Sequence, residues 1–451
     1  MGLDKMKQFF NSFINGDALT KFSFLIMGLS HFFRGQIIKG IIFLSVQISY
    51  FLYMFTYGFS AIGRLRHLGT KEQGWIFDED RGIDVLVQGD NSMLILLYGV
   101  FAIFITLAFL WLYKSATEQS YFLQQEIKRG RKPLDFSKEI TEYTDSHLHK
   151  TLRFLPVTGV VVLTILPLVF MILIAFTNFD RHHQPPGNLF TWVGLDNFRA
   201  MLSSGSTLGK TFFPVLGWTL LWATLATSLN YILGMLLAML INKKGIKLKV
   251  FYRTIFILSI AIPQFVSLLV MRNILDDDGP LNVLLEKAGI ISQYVPFLTN
   301  TTIARISVIV INLWIGIPYT MLITTGILMN IPEDLYESAK IDGATPVTQY
   351  FRITLPYVFF VTAPYLITQF IGNINNFNII YFLTRGGPAT LDYYQAGKTD
   401  LLVTWLYKLT VNSKDYSYAA TIGILVFIIS AVFSLMAYRR TSSYKNEEEF
   451  G

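Results

Sequence analysis

The sequence has no cysteine, and only 15% of its 451 residues are charged. The absence of cysteine excludes disulfide bonds, thiolate metal sites and a cysteine nucleophile. A soluble domain normally carries about 25% charged residues, so this scarcity of charge argues against a soluble globular protein. Hydrophobic residues make up 52% of the chain. This balance indicates a protein that crosses a membrane several times.

Eight stretches contain no Asp, Glu, Lys or Arg and are long enough to be transmembrane helices. They cover residues 40–57, 93–113, 154–176, 212–241, 254–271, 306–330, 357–383 and 417–438. We therefore predict an all-α integral membrane protein with eight transmembrane helices. No small-residue cleavage site follows a short apolar core near the start, so a removable signal peptide is not expected.

The loop charges predict the orientation, because cytoplasmic loops of membrane proteins are enriched in Lys and Arg. The segment "NKKGIKLKVFYR" (242–253) has five basic residues and no acid, whereas loops on the opposite side contain "DEDRGID" and "LDDDGP". An even number of spans places both termini on one side, which is predicted to be the cytoplasm. The cytoplasmic segments then include 331–356 and a mixed-charge, partly helical linker at 114–153.

The absence of charge inside the spans weighs against two other classes of protein. An ion-driven secondary transporter is expected to carry an intramembrane charge for its coupling ion, and none of the eight stretches has one. A membrane enzyme such as a glycosyltransferase needs an acidic pair or metal ligands, for which "LDDDGP" is the nearest candidate. Neither catalytic residues nor a metal site are predicted; His182 and His183 are adjacent and do not share a helical face.

The segment "YESAKIDGATPVTQYFRITLP" (336–356) is unusually polar for its surroundings. Pro332 suits the first position of a helix, and Gly343 suits a left-handed residue that ends it. Thr345 suits an N-cap followed by Pro346, which begins a second helix predicted to end before Pro356. The pattern predicts a rigid helical hairpin between the sixth and seventh spans. An ordinary solvated loop is the alternative.

The hairpin also resembles the EAA motif of binding-protein-dependent ABC importer permeases. The matching residues are Glu337, Ser338, Ala339, Gly343, Ile353, Leu355 and Pro356, and only Ser338 departs from the usual alanine. Further stretches, among them "INLWIGIPYTMLITTGIL" and "FIGNINNFNIIYFLTRGGP", resemble the MalF-type maltose/maltodextrin permeases over about residues 150–440. The short loop at 177–211 resembles the versions from Gram-positive bacteria, which lack a large insertion there.

This resemblance implies an organisation into three parts. Residues 154–438 would form the six-helix core of a type I importer permease, 1–153 two additional spans with the linker, and 439–451 a cytoplasmic tail. The function implied is sugar import, for maltose and maltodextrins or for another oligosaccharide or glycoside. The EAA residues would contact two ATPase subunits, which use ATP and Mg²⁺; this chain itself would carry no cofactor and no catalytic activity.

The partners implied are a second, MalG-like permease, the two ATPases, an extracytoplasmic sugar-binding protein and the bilayer of a bacterial cell membrane. No nucleic-acid partner is expected, because no basic stretch is interleaved with base-stacking aromatics.

A sugar site is predicted from polar residues inside the spans, which usually face the interior of a helix bundle. Gln369, Asn373 and Asn376 follow i, i+4, i+7 spacing and share one helix face, whereas Asn375 and Asn378 are predicted to point elsewhere. Amides both donate and accept hydrogen bonds, which suits neutral sugar hydroxyls. The alternative is that these amides only bond neighbouring helices together.

The resemblance assigns sugar contacts to Asn373 and Asn376 in "NINNF" and to Gly316 and Tyr319 in "GIPY". It also marks departures from the family pattern. Ile260 stands where MalF-type chains have tyrosine, and Gln264 and Gln369 stand where they have serine. The predicted substrate-binding set is Gln264, Gly316, Tyr319, Gln369, Asn373 and Asn376.

Overall fold

The structure, a computed structural model, describes residues 9–133, 148–243 and 245–439, together with positions 138, 141 and 144–146. The predicted tail at 439–451 lies outside this part of the chain, except for Arg439. Residues divide into two compact units, Met1–Gly194 and Leu195–Gly451.

The first unit is mainly helical and contains three of the long apolar helices. Its described elements are α1 (Ala18–Phe22), α2 (Leu29–Phe33), α3 (Ile37–Arg64), β1 (Gly74–Asp78), β2 (Ile83–Val87), α4 (Ser92–Lys128) and α5 (Thr151–Ile174). Helices α3 and α4 pack closely, since the rings of Tyr50 and Phe109 stack with centroids 3.8 Å apart. Helix α4 continues into the predicted linker, so the first part of the linker is a direct extension of the second span.

Strands β1 and β2 form an antiparallel hairpin in the loop between the first two spans, which the sequence did not predict. The Oδ1 of Asp78 accepts hydrogen bonds from the backbone N–H groups of Asp80 and Arg81, at 3.0 and 3.2 Å. Gly82 follows with φ of +64°, a conformation that glycine adopts without strain. The acidic segment "DEDRGID" is therefore the turn of this hairpin.

The second unit contains the remaining long helices. Its elements are α6 (Asp196–Leu202), α7 (Thr207–Asn242), α8 (Lys249–Ala261), α9 (Gln264–Ile274), α10 (Pro280–Lys287), α11 (Thr301–Leu328), α12 (Glu333–Ile341), α13 (Pro346–Gln349), α14 (Leu355–Ile374), α15 (Phe377–Leu383), α16 (Leu402–Lys408) and α17 (Tyr416–Tyr438). Helices α7 and α11 form its most extensive helix pair. They approach closely at Gly234, which has no side chain. A Cβ at this position would lie only 2.6 Å from the Cβ of Thr320.

The predicted fifth span, 254–271, is not one continuous helix. It consists of α8 and α9, which meet at an angle of 89°. Pro263 lacks a backbone N–H and disfavours helical conformation in the residue before it; accordingly, Ile262 is extended, with φ of −82° and ψ of 129°. Within the described residues, seven helices are long and apolar enough to cross a membrane, and the bent pair counted as one span gives the predicted eight.

The second helix of the polar hairpin does not end before Pro356, so that prediction was wrong. Helix α13 continues through a π-helical turn, Tyr350–Thr354, directly into α14. A π turn adds a residue to the helix and relaxes its hydrogen-bond pattern, which accommodates the missing N–H and the ring of Pro356 without a break. The hairpin is thus continuous with the seventh span.

The loop that follows α15 is held by the buried carboxylate of Asp400. It accepts hydrogen bonds from the backbone N–H of Gly397 at 2.7 Å, from the Thr404 hydroxyl at 2.8 Å and from Lys408 Nζ at 2.5 Å. A Cβ on Gly386 would lie 2.0 Å from this carboxylate, so only glycine fits at this position of the loop. Burial raises the pKa of Asp400, and the neighbouring Lys408 opposes that shift.

Candidate functional site

A polar cavity of about 380 Å³ lies inside the second unit, between α7, α8, α9, α11 and α14. All six residues of the predicted substrate-binding set line it: Gln264, Gly316, Tyr319, Gln369, Asn373 and Asn376. They come from three separate segments of the chain, which the fold brings together. The cavity has the size range of small-molecule sites in proteins.

The bend between α8 and α9 forms one wall of the polar cavity. Gln264 is the first residue of α9, directly after Pro263. Ile260 lies on the other arm of the bend and also lines the cavity, which places this aliphatic side chain at the position where the family pattern has tyrosine. The break that the sequence missed is therefore what turns both arms of the fifth span towards one space.

Asn373 also lines the cavity, and its amide is held in a fixed position. Its Nδ2 donates to the Thr227 hydroxyl at 2.9 Å, and its backbone carbonyl accepts from Trp222 Nε1 at 3.1 Å. Asn376 Nδ2 reaches Asn373 Oδ1 at 3.5 Å. These contacts join α7 to the end of α14 and orient the remaining amide atoms.

The interruption after α14 changes how the asparagines of "NINNF" are arranged. Helix α14 ends at Ile374, and Asn376 caps α15, accepting from the backbone N–H of Ile379 at 3.4 Å. Asn375 bonds within its own helix. Asn375 and Asn378 are not among the residues that line the cavity, although Asn378 Nδ2 donates to Gln264 Oε1 at 3.4 Å.

Aromatic side chains supply a flat surface in the polar cavity. Tyr319 is 49% exposed, and its ring lies 6.3 Å from that of Tyr365, with an angle of 35° between the planes. Both side chains line the cavity. An exposed aromatic face beside amides combines apolar contact with hydrogen bonding, the combination common in small-molecule sites.

Two lining amides were missed by sequence reasoning, Asn230 on α7 and Asn312 on α11. Within the described residues, Asn230 Oδ1 and Asn312 Nδ2 are buried and have no hydrogen-bond partner. A buried polar group without a partner costs about 1–3 kcal/mol. The signal was present in the sequence, since Asn230 is the one amide in the predicted span 212–241.

The predicted ATPase-coupling residues occupy two different environments. Glu337 and Ser338 are exposed on α12, and Ala339 is half-buried. Gly343 has φ of +78° and ends the hairpin's first helix as predicted. Tyr336 fixes α12 against the following helix, since its hydroxyl lies 2.8 Å from that of Thr354.

The last residues of the EAA motif lie against the helix bundle of the second unit instead. Ile353 and Leu355 are half-buried against a core cluster, whose buried members are Tyr231, Met235, Ile331 and Val358. Pro356 is exposed and lies in the first turn of α14. The motif therefore divides into an exposed helix and an anchor that fixes this helix to the seventh span.

Comparison with known proteins identifies the family. The model of the family described as "Binding-protein-dependent transport system inner membrane component" matches residues 230–440. The galactooligosaccharides transport system permease protein GanP of Bacillus subtilis (strain 168) is 37% identical over 429 residues, which cover 94% of this chain and 97% of GanP. The chain belongs to this family of inner membrane transport components. It is thus a multi-pass membrane permease component of a transport system.

Two further matches define how far the family likeness extends. The maltodextrin transport system permease protein MalC of Streptococcus pneumoniae (strain TIGR4) is 33% identical, over 94% of this chain and 96% of MalC. A bacterial ABC transporter involved in the import of alginate has a TM-score of 0.53 at 23% identity, over 67% of this chain and 97% of that one. The latter is a likeness of fold alone. The coverage of GanP and MalC extends the likeness beyond 150–440 to the first two spans.

Proposed function

We propose that this chain is a membrane-spanning subunit of an ABC importer for maltose and maltodextrins and forms half of the translocation pathway. The observation that carries the proposal is the polar cavity, where six residues chosen from sequence come together beside Tyr365. Neutral amides and tyrosines offer hydrogen-bond donors, acceptors and ring faces without a fixed charge. This composition suits an uncharged oligosaccharide rather than an ion.

In this proposal, substrate moves because the cavity alternates between states of different affinity for sugar. The chain contributes no catalytic residue. Its partners are a second, MalG-like permease, two ATPases that use ATP and Mg²⁺, and an extracytoplasmic sugar-binding protein. The exposed face of α12 contacts an ATPase, and its anchor at Ile353 and Leu355 transmits the movement to the seventh span.

The orientation follows from the same proposal. The hairpin 331–356 and the basic segment 242–253 lie in the cytoplasm with both termini, in the cell membrane of a bacterium of the Gram-positive type. The cavity of about 520 Å³ between these two segments is lined by Lys249, Arg253 and Glu337. These charged side chains are more stable in water than in lipid.

A galacto-oligosaccharide is the second candidate substrate, because GanP matches this chain at higher identity than MalC. The deciding experiment is uptake by vesicles that contain the complete transporter, its binding protein and internal ATP. Labelled maltose, maltotriose and a galacto-oligosaccharide are supplied separately. We expect ATP-dependent accumulation of the first two; accumulation of the galacto-oligosaccharide alone would select the second candidate, and sugar uptake without ATPase subunits would reject the importer.

A further inference from the structure

We infer that Asn230 is an additional sugar-binding residue of this permease and that Gly316 contributes to the site by making room for the Asn230 amide. The inference rests on the proposed function, because it assigns a role within the same polar cavity. It differs from the expectation drawn from the family, in which Gly316 itself is the sugar contact.

The first observation concerns the state of the Asn230 amide. The residue lines the polar cavity, and its Oδ1 is buried without a hydrogen-bond partner within the described residues. A buried carbonyl oxygen without a donor is costly and rare in a native structure. A ligand that brings a hydroxyl donor into the cavity removes this cost when it binds, and a sugar is such a ligand.

The second observation is the contact between Asn230 and Gly316. A Cβ added to Gly316 would lie 2.1 Å from Asn230 Nδ2 and 2.4 Å from Asn230 Cγ. The amide group therefore lies directly against the Cα of Gly316, across the interface of α7 and α11. A side chain added at position 316 would displace the Asn230 amide rather than a helix, because the amide is the movable end of the Asn230 side chain.

The third observation separates this contact from ordinary helix packing. One turn further along α7, Gly234 also meets α11, but there the close atoms are the Cβ of Thr320 and the backbone of Ile317 and Met321. Gly234 thus allows α7 and α11 to pack closely. At Gly316 the space is occupied by a polar group that lines the cavity.

Substitutions at the two positions test the inference, because their effects on uptake are not independent if it is correct. Asn230→Ala is expected to lower the rate of ATP-dependent maltotriose uptake by about fivefold, the loss of one uncharged hydrogen bond. Gly316→Ala is expected to lower it similarly by displacing the amide. The double variant should then be no worse than Asn230→Ala, because no amide remains to be displaced.

Matched controls lie on the same helices. Ser228 is exposed on α7, and a Cβ on Gly326 of α11 would meet no atom within 4 Å; Ser228→Ala and Gly326→Ala are expected to transport like wild type. The midpoint of thermal unfolding is measured for every purified complex. Asn230→Ala should not lower it, because the substitution removes a buried acceptor that has no partner.

The outcomes distinguish this inference from the proposed function. A wild-type complex that takes up neither maltotriose nor the galacto-oligosaccharide would reject the proposed function. If wild type transports and Asn230→Ala transports equally well, only the role of Asn230 is rejected. A double variant with the product of the two single losses would assign the sugar contact to Gly316, and a lower unfolding midpoint for Asn230→Ala would make Asn230 a structural residue.

Discussion

Asn373 Nδ2 donates a hydrogen bond to the Thr227 hydroxyl at 2.9 Å, which joins the end of α14 to the middle of α7 across 146 residues of sequence. Asn373 is only 8% exposed, so this bond fixes the amide in a restricted space. The remaining oxygen of the same amide faces Asn376 at 3.5 Å. Thr227 therefore determines how two of the predicted sugar-binding residues are presented to the polar cavity.

We predict that Thr227→Val lowers sugar uptake by about fivefold while the complex still assembles. Valine has nearly the shape of threonine but offers no acceptor, so Asn373 loses the bond that orients it, a net effect of about 1 kcal/mol. Uptake by reconstituted vesicles measures the change. Thr224→Val, one turn earlier on the exposed side of α7, is the control, and equal uptake by both variants would contradict the role of Thr227.

Much of the polar cavity was predictable from sequence because polar residues in a membrane span are expensive and tend to face the bundle interior. That rule, together with the family resemblance, selected Gln369, Asn373 and Asn376, which do line one cavity. The same rule applied to Asn230 and Asn312 would have found them. They were missed because neither has another amide three, four or seven residues away in its span, so no i, i+4, i+7 pattern marked them.

The breaks in the helices were harder to predict. Pro263 lies inside a predicted span and Pro356 directly before one. At Pro263 a helix ends and the chain bends by 89°, whereas at Pro356 the helix continues after a π turn. Proline removes the same hydrogen bond in both places. Whether the freed groups find partners depends on neighbouring helices, and a single sequence does not reveal those neighbours.

We predict that Gly234→Val destabilises the purified chain by about 1–3 kcal/mol, the usual cost of overpacking. The added side chain would collide with Thr320 and with the backbone of α11. Thermal unfolding in detergent measures the change. Gly217→Val serves as the control, because Gly217 lies on α7 with no atom within 4 Å of a Cβ and the loss of helix propensity is the same. Equal unfolding midpoints for the two variants would disprove close packing at Gly234.

We predict that Asp90 stabilises the first unit at neutral pH and that this contribution disappears in acid. Hydrogen bonds from the backbone N–H of Thr70 and Lys71, and the neighbouring Arg64 guanidinium, hold the pKa of Asp90 below 3.8. The folded chain then binds fewer protons than the unfolded chain between that lowered pKa and 3.8. The stabilisation is therefore complete above pH 3.8 and is lost as the pH falls through the folded pKa.

The measurement is the thermal unfolding midpoint of wild type and Asp90→Asn at several pH values. At pH 7 the variant should unfold at a lower temperature, and the difference should shrink below pH 3.8. Glu79→Gln, an exposed residue of the hairpin turn, is expected to match wild type at pH 7. If the difference in unfolding midpoint between wild type and Asp90→Asn stayed constant down to the lowest pH, the charge of Asp90 would not be the cause of the stabilisation.

Glu337 tests whether α12 is a docking surface or an ordinary solvated loop. Its side chain is exposed on a helix that Tyr336 and Thr354 hold in place, so a charge reversal there leaves the core of the chain intact. We predict that Glu337→Lys lowers co-purification of the ATPase subunits at least tenfold. In the proposed complex Glu337 contacts an ATPase subunit, and reversal of its charge turns this contact into a repulsion. Asp278→Lys, a reversal at another exposed residue in a loop predicted to lie outside the cell, should retain the ATPases. Undiminished co-purification with Glu337→Lys would favour the solvated loop, because a helix that no partner contacts tolerates either sign of charge.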